Sequence, residues 1–345
     1  MAGSSQGRFA KRNHPIARNS ARRVNTVPGG ADAGFFPVAP LFSRGLVFVS
    51  QVFDNGRKFF VIKKSRDQKM MGVSPDSIRL VSWFRRHNTL SDPRECLVAF
   101  SGGVDSAVVA KAAVVALGER AVAVCAYSPS MPRSQPREIA FLAEKIGIEL
   151  IMVESREFDD PAYTANDVER CYHCKTIRMR QILELGRKKK CGLVVDGSNG
   201  DDASDYRPGK RALEELGVIS PLAELRFSKA DVRELAFQWD LPVHDKPAEP
   251  CLSTRILYGL ELTPERLDRV DRAEQFIRSL RFSPLRVRMH ADDHVRIEVD
   301  EEKIGEIVAL KAPILSHLNA LGFRFVSVDL EGFRSGKMNP PGNNR

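Results

Sequence analysis

The segment Val98–Ser106 reads VAFSGGVDS and decides the fold of this chain. A short apolar run from Cys96 to Phe100 leads into it, and an apolar-periodic stretch continues as far as Leu117. This pattern predicts a buried strand, a glycine turn and the first turns of a helix. Two glycines allow the backbone to approach a ligand closely, and a helix N-terminus offers unpaired N–H groups with partial positive charge. We therefore expect a phosphate-binding turn here.

Side chains of the same turn add to this prediction. The hydroxyls of Ser101 and Ser106 are additional donors, and Gly102 and Gly103 lie between them. A carboxylate beside phosphates needs a cation, and Mg²⁺ bridging Asp105 and the phosphates would provide one. The spacing is not that of a Walker motif, which has Gly-Lys-Ser/Thr after four spacer residues. The alternative is a serine-capped helix after a buried strand, which many α/β proteins contain.

The composition is that of an ordinary globular chain. The 345 residues are enough for two domains, and 43% of them are hydrophobic and 28% charged. No apolar run is long enough to span a membrane. The six cysteines do not resemble a disulfide framework, because no secretory signal is evident and Cys96 and Cys125 lie in strand-like apolar runs. We therefore expect buried free thiols and a reducing compartment, the cytoplasm.

The first 70 residues carry the net positive charge. They hold 13 Lys and Arg against 3 Asp and Glu, whereas the rest of the chain holds 40 against 41. Nucleic acid is therefore not an expected partner of the main body. We interpret residues 1–75 as a basic extension whose first 35 residues cannot form a core. Disorder is expected there, with an organellar transit peptide, a basic tail or a start codon assigned too early as the alternatives.

Two alternating apolar runs surround Asp54-Asn55-Gly56 and predict a hairpin at residues 46–63. After Ser74 the chain alternates between strands and helices. The predicted strands are Cys96–Phe100, Ala121–Tyr127, Glu149–Val153 and Leu193–Val195, and the predicted helices are Ser77–His87, the stretch after Val104, Arg137–Ile146, Cys171–Lys188 and Lys229–Trp239. This alternation predicts a parallel sheet with helices on both faces over residues 76–260.

The pattern changes after residue 260. We predict a long helix at Pro264–Leu280, a hairpin formed by Leu285–Met289 and His294–Val299, a helix at Glu301–Leu321 and a strand at Phe323–Leu330. These elements predict a small α+β domain over residues 261–340.

Ligands of open parallel sheets bind at the carboxyl ends of the strands. Three predicted loops lie there: Ser101–Ser106, Tyr127–Ser134 and Asp196–Asp202. The last is rich in turn formers and carboxylates, and beside a phosphate loop it would contact ATP, Mg²⁺ or an acyl group. A solvated turn is the alternative interpretation of that loop.

Two groups of cysteines suggest chemistry. Cys171 and Cys174 form a Cys-x-x-Cys pair at the start of a helix, a pattern found in redox pairs, zinc half-sites and Fe–S ligation, and also in buried pairs without function. Cys251 lies in a proline-stiffened loop with Arg255 close in sequence, and a nearby cation favours the thiolate. An inert buried thiol is the alternative for Cys251.

Four segments together resemble the LarE family of the PP-loop ATP pyrophosphatase superfamily. They are SGGVDS from Ser101, RCYHCK from Arg170, PCLSTR from Pro250 and VDLEGFRSGKMN from Val328. The resemblance spans roughly residues 75–340. It implies an adenine nucleotide alpha hydrolase-like fold and an ATP-dependent sulfurtransferase that builds the pincer nucleotide of a nickel cofactor. ATP would activate a carboxylate of a pyridinium mononucleotide by adenylation, with Ser101–Ser106 holding the phosphates and Asp105 holding Mg²⁺.

The resemblance implies two possible sulfur sources. In one, the Cys251 thiolate attacks the adenylate, and later cleavage of its Cβ–Sγ bond leaves dehydroalanine on the protein. In the other, three cysteines hold a [4Fe–4S] cluster that carries the sulfide, and Cys171, Cys174 and Cys251 have the required count and placement. We predict the cluster type and keep the sacrificial type as the alternative.

The resemblance also suggests the remaining site residues. Lys175 is expected to act in catalysis, and Arg255, Arg286 and Arg288 are expected to bind the substrate phosphate, with Glu298 near that site. Arg286 and Arg288 share one face of a predicted strand, and a solvated sheet face is the alternative. A homo-oligomer, a hexamer built from trimers, is implied as well.

Two other functions stay open at this stage. A PP-loop tRNA thiolation enzyme also uses cysteines and adenylation, and the basic N-terminus would favour it. A nucleotide- or metal-binding module without catalysis is the third possibility, and the intact Asp105 and Ser106 disfavour it.

Overall fold

A computed structural model describes residues 49–54, 57–62, 74–88, 95–203, 208–247, 249–334 and 336–338. The predictions for residues 1–35 lie outside these ranges. The strands are β1 Val49–Asp54, β2 Arg57–Ile62, β3 Cys96–Ala99, β4 Ala121–Tyr127, β5 Glu149–Glu154, β6 Leu193–Val195, β7 Leu285–Ala291, β8 His294–Val299 and β9 Phe325–Val328. The α-helices are α1 Pro75–His87, α2 Val104–Leu117, α3 Gln135–Ile146, α4 Pro161–Thr164, α5 Arg170–Lys189, α6 Pro208–Leu216, α7 Pro221–Glu224, α8 Lys229–Gln238, α9 Pro264–Ser279, α10 Ile304–Ala309 and α11 Lys311–Ala320.

The larger sheet has the strand order β1-β2-β5-β4-β3-β6. Strands β3 to β6 are parallel to one another, which confirms the predicted α/β sheet. The predicted hairpin is present as β1 and β2, and β2 extends the sheet by pairing antiparallel with β5. The order puts β3, whose end carries the glycine turn, between β4 and β6, so the loops after all three strands meet at one edge.

Alternate side chains of the central strands enter two separate cores. Val98, Ala123 and Leu150 pack with α1, α2, α3 and α8 on one face. Their neighbours Leu97, Val122 and Ile151 pack with α5 and α6 on the other face. This period of two explains why the strands read as continuous apolar runs in the sequence.

The smaller sheet has the order β7-β8-β9, with β7 and β8 antiparallel and β9 parallel to β8. It packs with α9, α10 and α11 around a third core, which also takes in Tyr163 and Leu252 from the preceding part of the chain. The division into domains at residue 260 stays a proposal. Among the described helices, none has the length and apolar character needed to cross a bilayer.

Two predicted boundaries in this region were wrong. The single helix expected at Glu301–Leu321 is a 3₁₀ turn, Glu301–Lys303, followed by the separate helices α10 and α11. Pro313 gives the reason, because it has no N–H for the carbonyl of Ala309 and its ring would clash with that carbonyl in a continuous helix. The last strand is also shorter than expected, since only Phe325–Val328 pair with β8.

Candidate active site

The turn between β3 and α2 has the geometry of a phosphate loop. Gly102 has φ of +78°, and a Cβ on it would lie 2.6 Å from Cγ1 of Ile139, so glycine is required twice over. The Ser106 hydroxyl donates to the carbonyl of Gly103 (3.0 Å) and lies 3.2 Å from the Ser101 hydroxyl. The loop is therefore pre-shaped, with the N-terminus of α2 open toward the edge of the sheet where ligands bind.

Asp105 lies in the first turn of α2, and both of its carboxylate oxygens have protein partners. Asn199 Nδ2 donates to Oδ1 over 3.0 Å, and Lys229 Nζ lies 2.5 Å from Oδ2. Sequence reasoning missed Lys229. The available signal was a lysine at the first residue of a helix, where the dipole disfavours a cation unless something else holds it.

The predicted loop after β6 touches the phosphate loop directly. A Cβ on Gly197 would lie 2.8 Å from the backbone nitrogen of Ser106 and 3.1 Å from the carbonyl carbon of Asp105. Only glycine permits this approach, which brings Asn199 to Asp105. The prediction that residues 196–202 lie beside the phosphate loop is confirmed in these contacts.

Asp196 anchors this second loop to α5. Its carboxylate accepts hydrogen bonds from the Ser198 hydroxyl (2.9 Å) and the Ser220 hydroxyl (2.6 Å), and Lys175 Nζ lies 3.1 Å away. Burial acts to raise the pKa of Asp196, but the charge of Lys175 and the serine hydrogen bonds outweigh it and hold the pKa below its usual range. Lys175 is thereby aimed at the same edge of the sheet.

A buried polar cluster underlies the loop after β4. Arg178 Nη2 donates to the Ser128 and Ser130 hydroxyls (3.0 and 2.8 Å) and to Glu157 Oε1 (2.7 Å). Burial acts to raise the pKa of Glu157, but the Arg178 charge and the Ser128 hydrogen bond lower it overall. Neither Arg178 nor Glu157 was predicted, because nothing local in the sequence shows that their elements meet.

Hydrogen bonds attach the Cys251 loop to the loop after β4 and to α4. The N–H of Leu252 donates to the carbonyl of Ser130 (2.8 Å), which belongs to the loop after β4. The Ser253 hydroxyl lies 2.7 Å from the hydroxyl of Tyr163. Arg255 donates to the carbonyl oxygens of Pro250 (2.6 Å) and Cys251 (3.2 Å). The loop that carries Cys251 therefore lies beside the loop after β4, at the same edge of the sheet as the turn after β3.

Two of the three predicted cluster cysteines, Cys171 and Cys174, have raised thiol pKa values. Burial, the charge of Glu157 and the charges of Cys251 and Cys171 raise the pKa of Cys174 to about 12, against the opposing charge of Arg178. Surrounding protein atoms and the charge of Cys251 also raise the pKa of Cys171. In the part of the chain that the structure describes, no three His, Cys, Asp or Glu side chains stand close enough to hold a single metal ion. This finding concerns a single ion, because the ligands of a [4Fe–4S] cluster bind different irons and stand further apart.

The remaining cysteines with predicted burial behave as expected. Cys96 and Cys125 are 0% and 1% exposed. Burial raises the pKa of each thiol to about 12, which makes both inert as nucleophiles at neutral pH.

The predicted arginines lie in the interior rather than on a solvated sheet face. Arg288 pairs with Glu298 (3.1 Å), which is fully buried, and donates to the carbonyl of Thr254 (2.8 Å). Arg255 is 1% exposed and pairs with Glu274. The alternative of a solvated face is therefore wrong, because the loop at residues 250–255 covers this sheet.

Arg286 differs from its neighbours. Its guanidinium donates to the carbonyl of Leu285 (2.7 Å) and lies 5.1 Å from the Phe333 ring, but no ion pair joins it to a carboxylate of the described residues. Burial, with the like charge of Arg255, lowers the pKa of Arg286 to about 10. A buried cation without a counter-ion is a ready site for an anion such as phosphate.

Comparison with known proteins agrees with this arrangement. The NAD synthase family model matches residues 78–209, which include the phosphate loop and the Cys-x-x-Cys pair. The chain is 36% identical over 251 residues to pyridinium-3,5-bisthiocarboxylic acid mononucleotide synthase of Lactiplantibacillus plantarum. The aligned region covers 72% of this chain and 91% of that protein. This chain belongs to the LarE family.

Two further relatives come from a cyanobacterium and an archaeon. The chain is 44% identical over 245 residues to the uncharacterized protein slr1717 of Synechocystis, which covers 70% of this chain and 91% of that protein. It is 29% identical over 244 residues to the uncharacterized protein MJ0830 of Methanocaldococcus jannaschii, covering 70% and 92%. As a PP-loop enzyme, this LarE-family chain uses ATP and Mg²⁺.

Proposed function

We propose that this protein converts a carboxylate of pyridinium-3,5-biscarboxylic acid mononucleotide into a thiocarboxylate for the nickel-pincer nucleotide cofactor. The observation that carries the proposal is the bond from Leu252 N–H to the Ser130 carbonyl, which fastens the Cys251 loop to the nucleotide side of the sheet. A phosphate loop and a nucleophilic or cluster-holding cysteine need this proximity if adenylation and sulfur transfer occur on one bound substrate.

In the first step a substrate carboxylate oxygen attacks the α-phosphorus of ATP. The new O–P bond replaces the bond to the β-phosphate, and pyrophosphate leaves with that electron pair. The N–H groups of the loop at Ser101–Ser106 bind the phosphates and offset the developing charge. Mg²⁺ would bind Asp105, and it supplies charge neutralisation on the phosphates. A single carboxylate fits this ion, because Mg²⁺ takes its remaining ligands from phosphates and water.

The second step delivers sulfur to the adenylate. In the sacrificial route, Cys251 Sγ attacks the acyl carbon, AMP leaves, and a thioester forms. Removal of the Cα proton of Cys251 then breaks the Cβ–Sγ bond, so the substrate keeps the sulfur as a thiocarboxylate and the protein keeps dehydroalanine. In the cluster route, Cys171, Cys174 and Cys251 would hold a [4Fe–4S] cluster whose chemistry is the donation of a bound sulfide.

The charge that Cys251 exerts on both other cysteines supports the cluster route. Each of Cys171 and Cys174 lies within the electrostatic influence of Cys251, although they come from a helix and a loop about 80 residues apart in sequence. A purely sacrificial cysteine needs no such neighbours.

The arginine group supports binding of the substrate phosphate. The Arg286 guanidinium has no carboxylate partner among the described residues and can therefore bind the substrate phosphate. Arg288 lies two residues away on the same strand, and its ion pair with Glu298 orients it. Arg255 would contribute to the site by its hydrogen bond to the carbonyl of Cys251. Lys175, which follows Cys174 in the sequence and pairs with Asp196, would act at the substrate carboxylate. We further propose that the enzyme is a cytoplasmic homo-oligomer, a hexamer by family resemblance.

The decisive experiment is intact-protein mass spectrometry after incubation with ATP, Mg²⁺ and the biscarboxylated nucleotide, with iron measured beforehand. Product and AMP from an unchanged, iron-loaded protein would establish the cluster route. Loss of H₂S from the protein, mapped to Cys251, would establish the sacrificial route. Folded protein that yields neither AMP nor product would overturn the proposed function, and AMP formation stimulated by tRNA would establish a tRNA thiolation enzyme instead.

Individual cysteine variants test the ligand set. Cys171→Ala, Cys174→Ala and Cys251→Ala should each lower the iron content after anaerobic reconstitution, whereas Cys191→Ala should leave it unchanged as the matched control. Full iron content in the Cys171 and Cys174 variants would contradict the cluster route.

A further inference from the structure

We propose that Lys229 is a tethered cation that holds the Mg²⁺ position on Asp105 when the site is empty and moves to the phosphates when Mg²⁺ and ATP bind. The inference rests on the proposed function for its reaction, but its test does not require product formation.

Two contacts place Lys229 at this position. Its Nζ lies 2.5 Å from Asp105 Oδ2, while Asn199 occupies the other carboxylate oxygen. Its backbone N–H donates to Asp201 Oδ2 (2.7 Å), which joins the start of α8 to the loop after β6. The backbone of Lys229 is thus fixed beside the phosphate loop, and its side chain reaches across to Asp105.

The surroundings show that the side chain can move while its base stays fixed. A capping box formed by Ser228 and Asp231 closes the start of α8, and Val232 and Leu235 bury the helix in the core with α2. The Lys229 side chain, in contrast, is 39% exposed. The ammonium group can therefore rotate away from Asp105 without disturbing the fold.

Electrostatic repulsion prevents the Lys229 ammonium group and Mg²⁺ from binding the same carboxylate oxygen of Asp105 at the same time. Mg²⁺ needs an Asp105 oxygen that is free of other partners, and two cations cannot share the same side of one carboxylate. Once displaced, the ammonium remains within a side-chain length of the loop that binds the phosphates. There it would stabilise the charge on the leaving pyrophosphate.

A structural ion pair is the competing explanation, and exposure argues against it. The pair is 39% and 24% exposed, and pairs of this kind contribute little to stability. A lysine at a helix N-terminus is moreover unfavourable in itself. The contact is better explained by function than by folding.

The test measures Mn²⁺ binding by the nucleotide-free protein, with Mn²⁺ as a paramagnetic probe for the Mg²⁺ position. Lys229→Met and Lys229→Gln should bind Mn²⁺ about tenfold more tightly than the parent, because the competing charge is gone. Lys229→Arg should stay near the parent. In the same Lys229→Met variant, pyrophosphate release at saturating Mg²⁺ and ATP should fall at least tenfold in kcat, because the leaving group loses a cation.

Two controls separate this effect from general changes in charge. Lys189 forms a pair of similar exposure with Glu95 (3.0 Å) at the opposite end of β3, so Lys189→Met should alter neither property. Adding Asp105→Asn to Lys229→Met should abolish the tighter Mn²⁺ binding. Unchanged Mn²⁺ affinity in both Lys229→Met and Lys229→Gln would overturn the proposal. Tighter Mn²⁺ binding without any sulfur-containing product would leave the Lys229 proposal standing and count against the proposed function alone.

Discussion

The guanidinium of Arg255 pairs with the carboxylate of Glu274 in the interior, with 3.0 Å between Nε and Oε1, and from there it also holds the carbonyl of Cys251. Both side chains are less than 5% exposed. This pair couples the fold of the C-terminal region to the position of Cys251. Loss of Glu274 would leave the buried Arg255 guanidinium without a carboxylate partner among the described residues.

We therefore predict that Glu274→Ala lowers the free energy of unfolding by about 3–5 kcal/mol. Glu274→Gln should cost less, because the amide still accepts hydrogen bonds. Urea denaturation measures both. The exposed pair of Glu214 and Lys210 provides the control, and Glu214→Ala should change the free energy by less than about 1 kcal/mol. Equal effects at Glu274 and Glu214 would contradict the prediction.

The close approach of Gly197 to the phosphate loop gives a second prediction. In Gly197→Ala the new methyl group would lie 2.8 Å from the backbone nitrogen of Ser106, so the loop must shift. We expect a stability loss of about 1–3 kcal/mol and weaker ATP binding, measured by calorimetry. Gly305→Ala in α10 meets no atom within 4 Å and should be neutral or slightly stabilising. Normal ATP affinity in Gly197→Ala would show that the loop does not need this contact.

Arg286 and Arg288 should respond differently to mutation although they lie two residues apart. Arg286→Met removes a buried cation that has no carboxylate partner among the described residues, so the fold should tolerate it while KM for the nucleotide rises about tenfold. Arg288→Met removes a partner of the fully buried Glu298 and should destabilise the protein. Steady-state kinetics and urea denaturation separate the two effects. A substrate analogue without the phosphate should show no difference between the parent and Arg286→Met.

The lowered pKa of Asp196 predicts how the free energy of unfolding depends on pH. Its pKa is lowered in the folded state, so it stabilises the fold fully above the unfolded value of about 3.9 and loses that effect as the pH falls toward the folded value. Asp196→Asn should therefore reduce the free energy of unfolding at pH 7. The difference from the parent should shrink as the pH drops from about 5 to below 4. A difference that is constant over this range would contradict the assignment.

Much of the fold was predictable because it depends on local patterns. The strands at Ala121–Tyr127 and Leu193–Val195 were predicted with the bounds that the structure has, since continuous apolar runs between turns are typical of buried parallel strands. The glycine turn at Gly102 was predictable because two glycines lie between an apolar run and a predicted helix, and glycine tolerates the positive φ that the turn needs. The helix break before Pro313 was missed although a proline inside a helical pattern indicates one. The apolar periodicity on both sides of it was interpreted as a single helix.

The sequence by itself determined the chemistry that is available: a phosphate loop, a carboxylate for Mg²⁺, three cysteines and several arginines. Tertiary structure alone decided the partners of these groups. It placed Lys229 on Asp105, Arg178 under the loop after β4, and Arg255 in a buried pair with Glu274. These pairs join residues 19 to 124 positions apart, and no local propensity encodes such contacts. They form because the sheet and the helices bury their apolar faces in only one arrangement, and the polar groups carried into that arrangement must find partners within it.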